Sequence, residues 1–374
     1  MTLHELITPC ALVDLDRLER NAAAMTARTR ALGVRLRPHV KTHKCPEAAR
    51  IQTRGLDGAI TVSTLAEARL FADEGFSDIT WAVPLALDRL DECAELATRL
   101  ARFRLLVDHP VTVAALERFA AAQGVRLEVL LEIDCGLHRS GVAPDGDGAL
   151  TTARSIHASA HLTFAGILTH AGQSYRCRSR AEAAEVSRHE RDVMVALADR
   201  LRAAGLVVPE VSVGSTPTVT AADDLTGITE VRPGNYLFFD AFQAAIGSCL
   251  LDEVAFSVLA NVLGVYPERR ELVINAGALA LSRDPGPVHV DPHCGFGIPV
   301  EIANQDPMAG LQIVSLSQEH GVLRSDGPLS ADWRPGSRLR ILPNHSCLTA
   351  ACFDRFHVVR GTDVLDEWRP VRGW

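Results

Sequence analysis

The stretch VRLRPHVKTHK (residues 34–44) runs a short aliphatic alternation directly into a polar cluster, as a β-strand does when it ends in a functional loop. Working outward, strand-like runs recur at GAITV (58–62), ITWAV (79–83), FRLLV (103–107), RLEVLLEI (126–133), HLTFAGIL (161–168), EVSVG (210–214) and ITEVR (228–232). With VRLRP (34–38) these make eight, and segments of helical period separate most of them. Leu15, Leu18, Ala22, Met25 and Thr29 fall on one helical face, and Thr64 with Glu67 reads as a capping box. Eight βα repeats in about 230 residues predict an α/β fold of the (β/α)8 TIM-barrel type.

After about residue 245 the helical period fades. EVAFSVLANVLGVY, ELVINA, LQIVSLSQE, SRLRILP and RFHVVR alternate with Gly and Pro turns, which predicts a C-terminal all-β domain. The expected boundaries are 8–244 for the barrel and 245–374 for the β domain, with residues 1–7 adding a strand to the latter.

Composition narrows the function. A chain of 374 residues with 47% apolar side chains has the material for one large core or two moderate ones. Its net charge of −8 is spread without a block of like charges or an arginine stripe, which argues against nucleic acid and anionic membranes and for a small-molecule substrate. The opening MTLHELITPC lacks the basic start and apolar run of a signal peptide, and no stretch is long and apolar enough to span a bilayer, so the expected compartment is the cytoplasm. Nine cysteines without a CxxC pair argue against a disulfide framework.

The chemistry-bearing residues follow the ends of different strands, where βα loops build sites on the C-terminal face of a barrel. If the alternation of the first strand continues, Arg37, His39 and Lys41 share one side. A lysine in such a wall is suited to a Schiff base with an aldehyde cofactor; a basic surface turn is the alternative from composition alone. Arg139 follows the fifth strand. His170, Gln173 and Tyr175 follow the sixth. VGSTPT (213–218) follows the seventh as a Gly- and hydroxyl-rich turn suited to phosphate at a helix start, and RPGNY (232–236) follows the eighth. In LPNHSCLTA (342–350), residues i and i+2 of a strand would present His345 and Cys347 to one metal ion, zinc by donor type, with manganese or cobalt as alternatives. With no further ligand at a usual spacing, substrate and water would complete the shell. A buried cysteine beside a loop histidine is the other reading of that motif.

TPCALVDLDRLERN, RPHVKTHK, EIDCGLHRSGV, HAGQSYR, VGSTPT, VRPGNYLFFD, SQEHG, PNHSC and the terminal DEWRPVRGW occur in order from residue 8 to the end. Together they resemble the family of metal-activated D-serine dehydratases and D-threonine aldolases. The resemblance implies a fold-type III pyridoxal 5'-phosphate (PLP) enzyme, with an alanine-racemase-like barrel, a β domain and a homodimeric assembly. It implies that Lys41 is the Schiff-base lysine, with His39 beside it, and that Arg139, Gln173 and Tyr175 lie around the cofactor ring. Gly214, Ser215 and Thr216 with Gly234, Asn235 and Tyr236 would hold the phosphate, and His345 and Cys347 the divalent metal. The H-x-C form of the metal motif leans towards β-elimination from a D-3-hydroxy amino acid, such as D-serine or D-threo-3-hydroxyaspartate. The alternative keeps the same parts for an aldolase that breaks Cα–Cβ, with His170 or a bound water as base. A racemase or a non-catalytic PLP carrier would leave the metal pair idle. Asn275, in INAGALALS (274–282), stands where related sequences more often carry an acid.

Overall fold

The computed structural model describes all residues 1–374. The chain divides into two compact units, Met1–Ala23 with Asn235–Pro370, and Ala24–Gly234 with Val371–Trp374. The first strand, β1 (Cys10–Asp14), belongs to the former unit. The next eight build the latter: β2 (Arg35–Leu36), β3 (Ile60–Val62), β4 (Asp78–Pro84), β5 (Arg102–Val107), β6 (Leu127–Ile133), β7 (Leu162–Thr169), β8 (Glu210–Val213) and β9 (Glu230–Val231).

These eight strands coincide with the eight expected runs. Each pairs in parallel with its neighbours in the order β2-β9-β8-β7-β6-β5-β4-β3. The remaining edge closes just past β2, where His39 bridges Thr61 in parallel. There Val40 N donates to Thr61 O and Thr61 N to Pro38 O, both at 2.9 Å. Helices follow the strands, and the Leu65–Asp73 helix opens on half of the expected capping box: Thr64 Oγ1 accepts the Glu67 N–H at 3.1 Å, while the Glu67 carboxylate accepts from Ser63 N at 2.9 Å, one residue before the N-cap. The predicted (β/α)8 barrel is therefore the fold of this unit.

Arg37, grouped with His39 and Lys41 by the alternation of its strand, commits its guanidinium to an ion network. Its fully buried guanidinium donates to Glu230 Oε2 and Asp78 Oδ1, each at 2.7 Å. Arg35 and Arg104 join the same carboxylates and Glu210. Burying such charges costs several kcal/mol per ion unless each meets an opposite charge, and this network supplies the partners. Burial alone would raise Asp78 and Glu230, but the guanidinium of Arg37 outweighs it and holds both below the ordinary carboxylate range.

The other unit is built from β10 (Phe256–Tyr266), β11 (Glu271–Ile274), β12 (Ile298–Val300), β13 (Leu311–Leu316), β14 (Gly321–Ser325), β15 (Arg338–Leu342), β16 (Phe356–Arg360) and β17 (Asp363–Trp368). It forms the expected, mostly antiparallel sheet, and β1 inserts into it, antiparallel to β10 and parallel to β16. Residues 8–23 and 235–244, assigned to the barrel from sequence, thus group with the β unit. Asn21 strengthens this by donating to Leu237 O and Glu253 O. Residues 1–7 add a short 3-10 turn, Leu3–Glu5, and a single bridge from Thr2 to Asp363 rather than a strand. In the core of the unit Phe238 stacks on Phe256 with ring centroids 5.1 Å apart, and Phe356 meets both edge-on at 5.6–6.0 Å. Asn275 is a structural joint: its Oδ1 accepts from Asn261 N at 2.8 Å and its Nδ2 donates to Thr8 Oγ1 at 2.9 Å.

Candidate active site

Because the barrel strands are parallel, the loops after β2, β6, β7, β8 and β9 all emerge at one end of the barrel. Lys41 is part-buried there, and its backbone N–H donates to His39 Nδ1 at 3.3 Å. The lysine loop is pinned by His43, whose ring contacts Gln52 Oε1 at 3.0 Å and accepts from Cys45 N at 3.1 Å. Gly234 closes against it: a Cβ at this position would lie 2.6 Å from His39 O and 2.8 Å from His39 Cβ.

The face carries surplus positive charge. Burial and then Lys41 and Arg232 push His39 well below the usual histidine range; burial, Lys41, Arg139 and Arg232 do the same to His170. Both imidazoles are therefore neutral near pH 7. Arg232 is buried, donating to Val213 O at 3.3 Å and also to Ser212 Oγ and Thr169 O. Glu190, fully buried on the Arg180–Ala203 helix, ties two of the loops together, since its Oε1 accepts from Gly214 N at 3.0 Å and Ala171 N at 3.2 Å. Burial raises its carboxyl above the ordinary value.

Gln173 donates Nε2–H to Cys135 O at 3.0 Å, while its buried Oε1 has no hydrogen-bond partner within the protein. Tyr175 is part-buried in the same 3-10 turn, and Arg139 is exposed. Ser215 is the N-cap of the Thr216–Ala221 helix, with its hydroxyl shared between Thr218 N at 3.3 Å and Ser174 Oγ at 2.8 Å. A cationic cluster, an orphaned polar atom and a helix start on one face fit an anionic aldehyde cofactor such as PLP.

In the β unit, β15 ends before Pro343, and His345 and Cys347 are not on a strand. His345 is the N-cap of the Ser346–Ala351 helix, and Cys347 lies in its first turn. The two side chains nevertheless meet. Burial disfavours charging His345, but Asp284, Cys347 and Asp240 together overcome it and push the ring up to about 11. Asp284 Oδ2 lies 3.1 Å from His345 Nδ1. Asp240, fully buried, holds the turn by accepting from Ser346 N at 2.9 Å and from Asn235 Nδ2 at 2.8 Å. Asn235 gives its other amide hydrogen to Ser346 Oγ at 2.9 Å, so its side-chain donors are committed to this turn. Tyr236 is fully buried in the same unit. An imidazole and a thiol side by side fit a zinc-type ion, and no third histidine, cysteine or acid completes a ligand set. Glu190, Arg232, Asp240 and Asp284 were not expected as site residues. Arg232 opens the RPGNY segment and Asp240 closes the LFFD segment, but no spacing marks their roles.

A closed parallel barrel with a lysine loop after its first strand, joined in sequence to a β unit, defines the alanine-racemase-like class of enzymes. Residues 13–241 match the family profile for the alanine racemase N-terminal domain, and residues 255–359 that of a serine dehydratase domain. A D-threo-3-hydroxyaspartate dehydratase from Delftia sp. is 42% identical over all of this chain and 99% of its own length; its crystal structure superposes with a TM-score of 0.94. A D-serine dehydratase from Dictyostelium discoideum is 33% identical over all of this chain and 98% of its own. A D-threonine aldolase structure from Filomicrobium marinum is 30% identical over 99% of this chain and 96% of that one, with a TM-score of 0.85. The chain belongs to the D-serine and D-threo-3-hydroxyaspartate dehydratase family.

Proposed function

We propose that this protein is a PLP- and metal-dependent lyase that dehydrates a D-3-hydroxy amino acid, D-threo-3-hydroxyaspartate or D-serine, to a 2-oxo acid and ammonia. The observation that carries the reading is the meeting of His345 with Cys347 at the start of one helix. Hydroxide is a poor leaving group, and a metal held by two protein donors keeps coordination positions for a substrate hydroxyl and water. Supporting it, solved variants of a D-threo-3-hydroxyaspartate dehydratase, 41% identical to this chain, replace a histidine and a cysteine two residues apart, the spacing of His345 and Cys347, and the cysteine variant is a metal-free form.

When bound, PLP supplies an electron sink for charge at Cα, and the metal supplies a Lewis acid for the β-hydroxyl. The residues of the chain do the rest. Lys41 anchors the cofactor and is the base for the Cα proton. Gly214, Ser215, Thr216 and Gly234 offer backbone and helix-start donors for a phosphate, with Glu190 fixing the Gly214 loop. Gln173 Oε1 accepts from the ligand, with Tyr175 and Arg139 at the rim. His39 is neutral beneath the lysine loop, and the neutral His170 can take or return a proton. Zinc suits the thiol–imidazole pair better than manganese or cobalt does. The same reading makes the protein a cytoplasmic homodimer acting on a small amino acid, with neither nucleic acid nor membrane as a partner. No helix is long and apolar enough to cross a membrane.

The test is incubation with PLP and zinc or manganese on D-serine, D-threonine and D-threo-3-hydroxyaspartate, following oxo acid, ammonia, glycine and aldehyde with and without EDTA. Oxo acid and ammonia that vanish with the chelator are expected. Glycine and aldehyde would make the enzyme an aldolase and overturn the reading.

A further inference from the structure

The loop that follows the Ala278–Leu281 helix brings one carboxylate to the back of the His345 ring. Asp284 is half-buried, and its two oxygens have separate tasks. Oδ1 accepts from Gly286 N at 2.8 Å, which fixes the carboxylate plane; Oδ2 faces His345 Nδ1 at 3.1 Å. The backbone is held too. Asn344, adjacent to His345, donates Nδ2–H to Asp284 O at 3.2 Å and to Gly295 O at 2.8 Å, and Thr349 of the metal-bearing helix donates to Leu281 O at 2.8 Å. The approach needs a glycine: at Gly286, with φ of +71°, a Cβ would sit 2.5–2.6 Å from the Asn344 amide. Loop and helix are thus locked at both ends around a single carboxylate–imidazole contact.

That contact decides which nitrogen of His345 is available. The ring that binds an ion is neutral, the ion displacing the proton that the neighbouring carboxylates and thiol favour in its absence, and a neutral imidazole carries one N–H and one lone pair. With Nδ1–H donated to Asp284, the lone pair lies on Nε2, the nitrogen left for Cys347 and for an ion. Asp284 makes no third ligand with the pair. We infer that Asp284 is a positioning residue of the metal centre, an outer carboxylate that holds His345 in the Nδ1–H tautomer with Nε2 presented as the donor. The inference rests on His345 and Cys347 being the metal pair. An outer carboxylate of this kind fixes the ring and raises its basicity, and losing one weakens metal binding about 10–100-fold.

The experiment uses PLP-loaded enzyme and measures the dissociation constant for Zn2+ by competition with a chromophoric chelator, for wild type, Asp284→Asn, Asp284→Ala and Cys347→Ala. Asp284→Asn keeps the side-chain volume and decides the matter if Asp284→Ala does not fold. The expected result is 10–100-fold weaker Zn2+ binding in both Asp284 variants, with the visible cofactor absorbance unchanged and turnover largely recovered in excess Zn2+. Zn2+ affinity within twofold of wild type in Asp284→Asn, alongside lost binding in Cys347→Ala, would overturn the role of Asp284 alone. Undiminished binding in Cys347→Ala would overturn the metal pair itself.

Discussion

Mild acid should loosen the lysine loop through His43. This side chain is fully buried two residues after Lys41; its Nε2 lies 3.0 Å from Gln52 Oε1, and its Nδ1 lies 3.1 Å from Cys45 N, whose N–H it accepts, and 3.1 Å from Cys45 O. Protonation at Nδ1 would exchange the bond from Cys45 N for one to Cys45 O, also 3.1 Å away, and would put a charge in a fully buried site. Burial accordingly depresses the ring to about 4 from 6.5, against the smaller opposing pull of Gln52 and Cys45. The sign follows from proton counting: between these values the unfolded chain binds a proton that the folded one refuses, so stability is full above about pH 6.5 and lost as pH falls towards 4. The whole gap corresponds to roughly 3.4 kcal/mol, of which about 2 kcal/mol falls between pH 7 and pH 5. Urea unfolding followed by circular dichroism, at equal PLP excess, would compare wild type with His43→Gln at both pH values. His43→Gln is less stable at pH 7 but lacks the titration, so wild type should lose about 2 kcal/mol more than the variant on acidification. Equal losses in the two proteins would refute the reasoning.

Lys41→Ala should remove the visible absorbance of the bound cofactor and turnover together, because one amine both anchors the cofactor and takes the Cα proton; an absorbance spectrum and an oxo-acid assay check this, and retained activity would exclude Lys41. Gly234→Ala should displace His39, since the added methyl meets its carbonyl at 2.6 Å. Overpacking of this sort costs about 1–3 kcal/mol, and PLP affinity measured by fluorescence titration should fall about tenfold. Arg37→Met leaves buried Glu230 and Asp78 short of a partner and should cost about 3–5 kcal/mol in chemical denaturation, with part of the loss restored by adding Glu230→Gln.

The barrel was legible because each βα unit carries its own period and turn, so a strand as short as β2 or β9 is announced by the residues around it. Partners far along the chain leave no such trace. Cys10–Asp14 is as apolar as any barrel strand, and only its pairing with β10 and β16 assigns it to the other sheet. Arg37 obeys the alternation that groups it with His39 and Lys41, yet Asp78 and Glu230, 41 and 193 residues away, claim its guanidinium. The H-x-C motif was readable as a pair but not as a shape. Pro343 follows the end of β15 and SCLTAA winds into a helix, so an N-cap residue and the first turn bring the side chains together instead of the two-residue repeat of a strand. Around that pair the sequence is silent, because Asp240 and Asp284 act through contacts 106 and 61 residues distant. Donor types can be read from a motif, whereas the carboxylates that orient them are chosen by packing. A substitution at Asp284 is therefore the sharper probe of the β unit: its effect on Zn2+ binding has no source in the motif and follows only from the fold.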